Sequence, residues 1–371
     1  MGGRASRGSC SKGGADRVSG LRRERELWEA VPHNQFVRAI VLAEFGPPEV
    51  LVAQEVAEPV AADGQALIDV ELVNVTFVET QVRAGQAPHP SMLPELPTIP
   101  GNGVGGVVVA IGPDLDAVRV GTRVVSTTGG RGAYAERVAV PVENLVPVPD
   151  GVTLVDAVAL LADGRTGLAL VSRAAIQPGE LVLVEAAAGG VGSLLVQLAK
   201  AAGARVIAAA GGERKLGVAR ELGADVAIDY TRPGWERELI IAAVSDSPTA
   251  NDRVLDVAFD GVGGSIGRAA FELLRPGGRH CGFGMASGAF AQIDEAEAQA
   301  RQVTLVRGAV SPEQMVELTR GALQLAASGK LRPVVGQTVP LESAADAHRA
   351  IEARATVGKT LLSTDLERDR P

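Results

Sequence analysis

A chain of 371 residues with 46% hydrophobic content is long enough to bury two cores, so two domains are expected. Its net charge of −8 excludes a general nucleic-acid surface, which needs clustered Lys and Arg. Cys10 and Cys281 are too few and too far apart for a disulfide framework or a multi-thiolate metal centre, and they fit a reducing cytoplasm. Apolar runs such as 107–111 and 181–184 fall far short of the roughly 18 residues that a membrane-spanning helix needs, so no span is expected.

Residues 1–36 mix Gly, Ser and Arg with a short charged stretch and read as a disordered extension. The Arg22-Arg23 pair is read as part of an untargeted tail rather than an export signal, because Glu24, Glu26 and Glu29 follow where an apolar core would stand. From Val37 the pattern becomes short β-rich runs at 38–43, 50–56, 66–73, 104–111, 123–126 and 134–140. Gly46-Pro47-Pro48, Asp63-Gly64, Gly112-Pro113 and Gly129-Gly130 separate them. An all-β, barrel-like first domain is expected.

After Pro149-Asp150-Gly151 the rhythm changes to strand, helix, strand. Buried strands are expected at 181–185, 205–210, 226–229, 254–260 and 278–283, with helices at 193–202, 213–222 and 265–274. Such alternation specifies a parallel sheet covered on both faces, so the fold class is α/β. A helix at 312–328, a strand at 334–339 and a helix at 344–354 are expected to return to the first domain. The expected division is 1–36 extension, 37–155 first domain, 156–308 parallel-sheet domain and 309–371 return.

The strongest motif is the strand Leu181-Val182-Leu183-Val184-Glu185 running into Ala186-Ala187-Ala188-Gly189-Gly190-Val191-Gly192 and straight on into an amphipathic helix. A buried strand, a glycine turn and a helix in that order form a dinucleotide-binding unit. Gly189 lets the backbone approach a pyrophosphate and Gly192 lets the helix pack on the strand. The helix N-terminus supplies free N–H groups and a positive dipole end to the anion. Ala187 stands where the first glycine of the pattern would be, and an ordinary tight turn is the alternative.

An NAD site places Asp or Glu at the end of the second strand, about 20 residues past the glycines, to bind the ribose 2′-hydroxyl. Here that place holds Ala210 and Gly211, which leave room for a 2′-phosphate, and Arg214 and Lys215 follow one turn on. NADPH is therefore expected over NADH. The alternative for Arg214 and Lys215 is a solvated first helical turn, and Glu213 beside them requires that its carboxylate point away.

These residues resemble the zinc-independent quinone oxidoreductase branch of the medium-chain dehydrogenase/reductase superfamily. The resemblance runs from about Val37 to Leu362. It is carried by Arg38 to Gly46, Ile99 to Val108, the glycine turn, Asp260-Gly261-Val262-Gly263, Gly282-Phe283-Gly284 and Glu352 to Lys359. It implies a GroES-like catalytic domain built from both chain ends, an inserted Rossmann domain and the cofactor in the cleft between them. It also implies that Ala187, Gly189, Gly190, Val191 and Gly192 hold the pyrophosphate. Thr166, at a helix start, would sit near the nicotinamide ribose. Lys215 and Tyr230 would flank the 2′-phosphate, with Gly211 and Arg214 beside them. Gly261, Phe283 and Gly284 would lie by the nicotinamide, and Arg354 would reach back from the C-terminal segment.

Zinc-dependent relatives of that superfamily use a Cys after the third strand, a Gly-His-Glu where this chain has Gly101-Asn102-Gly103, and a four-cysteine loop. Neither those residues nor the spacing of His33, His89, His280 and His348 gives a ligand set, so no metal is expected, and His280 and Cys281 read as core. Relatives carry an asparagine where Thr76 stands, and aromatics are common at the positions of Gln81 and Ala87.

Hydride transfer to an enone or quinone builds negative charge on the carbonyl oxygen, so donors must face it. Thr76, Gln81 and Tyr134 are the candidates, with loop hydrogen bonding as their alternative. The expected function is NADPH-dependent reduction of a quinone or small α,β-unsaturated carbonyl compound. An enoyl-thioester reductase, or a catalytically silent NADPH-binding protein, is the alternative. The resemblance implies a homodimer. Because it begins at Val37-Arg38-Ala39, where relatives start with Met-Arg-Ala, Val37 is expected to be the initiator.

Overall fold

The computed structural model describes residues 36–113, 119–244, 253–308 and 310–364. Of the N-terminal extension expected over residues 1–36, residues 1–35 lie outside the described residues, and Phe36 instead opens the first strand. Strands β1 (Phe36–Leu42) and β2 (Leu51–Ala57) pair antiparallel in register from Phe36 opposite Ala57 to Leu42 opposite Leu51. Strand β3 (Gln65–Val75) is followed by helix α1 (Phe77–Arg83), then β4 (Gly103–Ile111), β5 (Arg123–Thr127), β6 (Arg137–Pro141) and β7 (Val146–Pro147). Gly106 lets β3 and β4 close on each other, since a Cβ there would lie 2.0 Å from the carbonyl oxygen of Asp69. Helix α1 corrects the all-β expectation. Its signal is the capping box Thr76-x-x-Glu79, in which the Glu79 carboxylate accepts the Thr76 N–H at 2.8 Å.

Helix α2 (Leu154–Ala174) begins at Thr153, whose hydroxyl accepts the Asp156 N–H at 3.1 Å, and ends at Ala175 with φ 48°. It runs through the expected junction at 155/156. Val158 packs where Gly105 of β4 leaves room, and Gly164 packs against Ala322, so the helix is buried on several sides. Its local sequence therefore lacks a single apolar stripe, which is why strand and turn signals alone pass over it.

The parallel-sheet half follows as β8 (Leu181–Glu185), α3 (Gly190–Ala201), β9 (Arg205–Ala210), α4 (Glu213–Glu221), β10 (Val226–Asp229) and α5 (Trp235–Val244). Next come β11 (Leu255–Asp260), α6 (Gly264–Glu272), β12 (Leu274–Gly282), α7 (Glu295–Ala300) and β13 (Thr304–Leu305). The first three strands coincide with the expected ranges, because each is an apolar run ended by a turn. The order β10-β9-β8-β11-β12-β13, all parallel, is the doubly wound arrangement. Its switch point lies between β8 and β11, so a crevice opens beyond their carboxyl ends.

Helix α8 (Pro312–Ala327) packs on α2, and β14 (Val335–Pro340), α9 (Ala344–Glu352) and β15 (Lys359–Ser363) complete the described chain. Strand β15 pairs antiparallel with β3 and parallel with β14, so the C-terminal strands share the sheet ordered β14-β15-β3-β4-β5-β7, where β6 also joins β3. The helix expected at 344–354 stops at Glu352, and Arg354 turns into the left-handed region at φ 53°. No helix among the described residues is long and apolar enough to cross a membrane.

Candidate active site

A cleft of about 1060 Å³ lies between the two sheets, and its floor is the turn after β8. Ala186 takes the left-handed conformation, φ 48°, and its carbonyl accepts the Gly189 N–H at 2.8 Å. Gly189 then caps α3. A Cβ on Gly192 would lie 2.2 Å from the Ala186 carbonyl oxygen, so glycine is what lets the helix start this close to the strand. Gly189, Gly190, Val191 and Gly192 all line the cleft. Ala187 does not: it is fully buried and donates its N–H to the Ala209 carbonyl at 3.1 Å, tying the turn to β9.

Two charged residues that local patterns do not single out hold this turn. Lys359 Nζ donates to Asp163 Oδ1 at 3.1 Å, with both side chains buried, and a Cβ on Gly190 would meet Asp163 Oδ2 at 1.9 Å. Gly358 N–H donates to the Ala188 carbonyl at 2.7 Å, seating the start of β15 on the turn. The available signal was an acid set among apolar neighbours in α2 and a lysine closing the run Glu352 to Lys359.

At the end of β9 the expected cations converge. Lys215 Nζ donates to the Arg354 carbonyl at 2.8 Å, Arg214 Nη1 reaches the Ala355 carbonyl at 3.5 Å, and Arg354 Nη2 donates to the Ala286 carbonyl at 2.6 Å. Burial and the charges of Arg354 and Arg214 hold the Lys215 ammonium below its ordinary range. Glu213 is turned away, its carboxylate paired with Arg220. Tyr230 lines the cleft beside Gly211, and burial, helped by the charge of Glu185, pushes its phenol up to about 12. Lys215, Tyr230 and Arg354 face the cleft, whereas Gly211 and Arg214 stand behind its rim.

Across the switch point, Gly261, Phe283 and Gly284 line the cleft and interlock. A Cβ on Gly284 would lie 2.5 Å from the Gly261 carbonyl oxygen, and one on Gly261 would lie 2.6 Å from the Phe283 ring. Thr166 lines the cleft too, but in the interior of α2 rather than at a helix start. Its hydroxyl donates back to the Ala162 carbonyl at 2.7 Å.

At the far end, Thr76 caps α1 and Gln81 lies one turn on, its Oε1 buried without a hydrogen-bond partner. Asn74, overlooked in the sequence although it opens the same stretch, also lines the cleft with Oδ1 unpartnered. Tyr134 corrects the expected site: it is fully buried and is not part of the lining. Its hydroxyl donates to Glu79 Oε2 at 3.1 Å and lies 2.9 Å from His348 Nε2. Burial holds His348 down to about 3, so the ring is neutral, and its Nε2–H is free to donate to the phenol oxygen. Both hydrogen-bonding directions of the phenol are thereby used inside the core. Glu79 also accepts the Asn102 N–H at 2.9 Å, and burial lifts its carboxyl above the ordinary range against the pull of these donors.

Among the described residues there is no group of three or more His, Cys, Asp or Glu that could hold a metal ion. Asn102 instead spends its Oδ1 on the Gly130 N–H at 2.7 Å, and Cys281 is buried, which pushes its thiol up to about 12.

Residues 62–150 match the alcohol dehydrogenase GroES-like domain family, and residues 222–362 match the zinc-binding dehydrogenase family. A probable quinone oxidoreductase of Schizosaccharomyces pombe is 33% identical over 332 residues, covering 87% of this chain and 96% of its own. A 2-haloacrylate reductase of a Burkholderia species is 31% identical over 336 residues, covering 88% and 98%. A mycobacterial protein solved in complex with NADPH superposes with a TM-score of 0.78 at 32% identity, over 88% of this chain and 99% of its own. With the dinucleotide turn in place, these likenesses make the protein an oxidoreductase that uses a nicotinamide cofactor. The chain belongs to the quinone oxidoreductase branch of the medium-chain dehydrogenase/reductase superfamily.

Proposed function

We propose that this protein reduces a quinone or small α,β-unsaturated carbonyl compound with NADPH, without zinc, as a cytoplasmic homodimer. The observation that carries the cofactor choice is the convergence of Lys215, Arg214 and Arg354 at the end of β9, where Glu213 is drawn off by Arg220. Such a cluster suits a dianionic 2′-phosphate and leaves no acid for a free ribose hydroxyl. The NADPH-bound mycobacterial relative supports the same choice, and the haloacrylate reductase relative supports a conjugated acceptor.

Gly190, Val191 and Gly192 would offer main-chain N–H groups at the start of α3 to the pyrophosphate, and Gly189, its own N–H held by the Ala186 carbonyl, would let the backbone approach, on the turn that Ala187 anchors. Lys215, Tyr230 and Arg354 would hold the adenosine phosphate, with Arg214 at its edge and Gly211 leaving it space. Thr166, Gly261, Phe283 and Gly284 would flank the nicotinamide. When bound, NADPH supplies a hydride. Thr76 and Gln81 would place polar groups against the acceptor oxygen as it gains charge. Tyr134 acts from behind, holding Glu79, which in turn fixes the Thr76 cap. The final proton comes from water.

The test follows NADPH absorbance with purified protein against quinones, enals and enoyl thioesters, before and after chelation, with mass by light scattering. Oxidation by quinones or enals that survives chelation in a dimer is expected. Preference for enoyl thioesters would replace the acceptor, and NADPH binding without oxidation by any acceptor would mark a silent protein. Loss of activity on chelation, or a monomeric mass, would overturn those parts of the reading.

A further inference from the structure

The chain carries a net charge of −8, yet five cationic side chains and only three carboxylates line the cleft. Lys215 and Arg354 belong to the adenosine end, and Lys359 is matched by Asp163. Arg131 is exposed to solvent, which leaves Arg165. It sits on α2 between Asp163 and Thr166, its side chain lines the cleft, and its Nη1 is buried with no hydrogen-bond partner. Burial depresses the guanidinium against the pull of Asp163, but arginine stays charged in proteins. A buried charged donor left unmatched is costly, and a forked guanidinium is satisfied best by a planar carboxylate bound through two oxygens.

We propose that Arg165 is a specificity-determining residue that anchors a carboxylate on the acceptor, so that the preferred substrates are conjugated carbonyl compounds bearing an acid group. The proposal rests on the reading of the cleft as a hydride-transfer site. The anchored acceptor has its carbon–carbon double bond reduced: hydride from NADPH forms one new C–H bond, a proton from water forms the other, and NADP⁺ leaves. The carboxylate takes no part in the chemistry. Its charge locates the acceptor, and the neutral ester of the same molecule lacks that contact.

The experiment compares 4-oxo-2-pentenoate with its methyl ester in the NADPH-supplied enzyme, for the parent chain and for Arg165→Leu and Arg165→Gln. The parent should prefer the acid by kcat/KM. Both variants should lower the acid-to-ester ratio by about tenfold or more, the scale of one charge-assisted hydrogen bond, with KM for the acid carrying most of the change. An unchanged ratio would overturn the proposal. So would a rise confined to the KM of NADPH, which would assign Arg165 to the cofactor. Arg165→Gln keeps a polar side chain of similar reach should Arg165→Leu fail to fold. If neither acceptor is turned over and quinones and enals are also left unreduced, the hydride-transfer reading fails; in either case calorimetry with unreactive 4-oxopentanoate decides the anchor. Binding that weakens about tenfold in the variants supports it, and equal binding refutes it.

Discussion

Lys215 Nζ donates to the main-chain carbonyl of Arg354 at 2.8 Å, across 139 positions of sequence, and Arg354 holds that carbonyl in place from the left-handed region at φ 53°. The bond ties the first turn of α4 to the segment after α9 and crowds two positive charges together. An anion between them relieves that crowding.

Replacing Lys215 and Arg214 together with Ala should therefore raise the Kd for NADPH by about tenfold or more while moving that for NADH by less than about twofold. Fluorescence titration of both cofactors reads the difference. Equal losses would show that the cluster serves the fold rather than the 2′-phosphate.

Gly192→Ala should behave differently. Its Cβ would meet the Ala186 carbonyl oxygen at 2.2 Å, a main-chain atom that cannot swing aside, so α3 must shift from β8. A stability loss of about 1–3 kcal/mol is expected, with both cofactors weakened alike. Denaturant melts and the same titrations check it, and a variant as stable as the parent that keeps NADPH affinity would contradict the packing argument.

Tyr134→Phe removes a hydroxyl that serves Glu79 and His348 in the core, so the cost should appear as about 1–3 kcal/mol of stability. Turnover per folded molecule should stay within about twofold. A collapse of kcat with an unchanged melting temperature would restore Tyr134 to the chemistry.

Glu185 ends β8 fully buried, with neither carboxylate oxygen hydrogen-bonded, and burial together with the charge of Asp260 raises its carboxyl well above the ordinary carboxylate range. A raised acid binds its proton more tightly folded than unfolded. Its contribution is therefore present below the ordinary value and is lost as pH rises through the raised one. Glu185→Gln should flatten that loss, so the variant gains on the parent in Tm from pH 5 towards pH 8. A Tm difference between the two chains that does not change with pH would mean that Glu185 carries no proton of its own in this range.

Much of the architecture is local and was legible as such. Strands β8, β9 and β10 are buried apolar runs closed by turns, the glycine turn announces its own helix, and the absence of an acid at Ala210 and Gly211 is a fact of composition. The capping box Thr76-x-x-Glu79 is a local signal for α1 that a reading by strand runs and turns passes over. What only the tertiary structure decided depends on partners far apart in the chain. Helix α2 is packed by β4, β15, α3 and α8 together, so no one-sided stripe marks it, and Thr166 falls in its interior. Tyr134 points inward because Glu79 and His348 meet it there, 55 and 214 residues away. Asp163 and Lys359 become a pair across 196 residues, and Arg165 is left facing the cleft beside them. Period and turn chemistry are written residue by residue, but which charge is matched and which is left for a ligand is settled only when packing brings distant segments into one low-dielectric space.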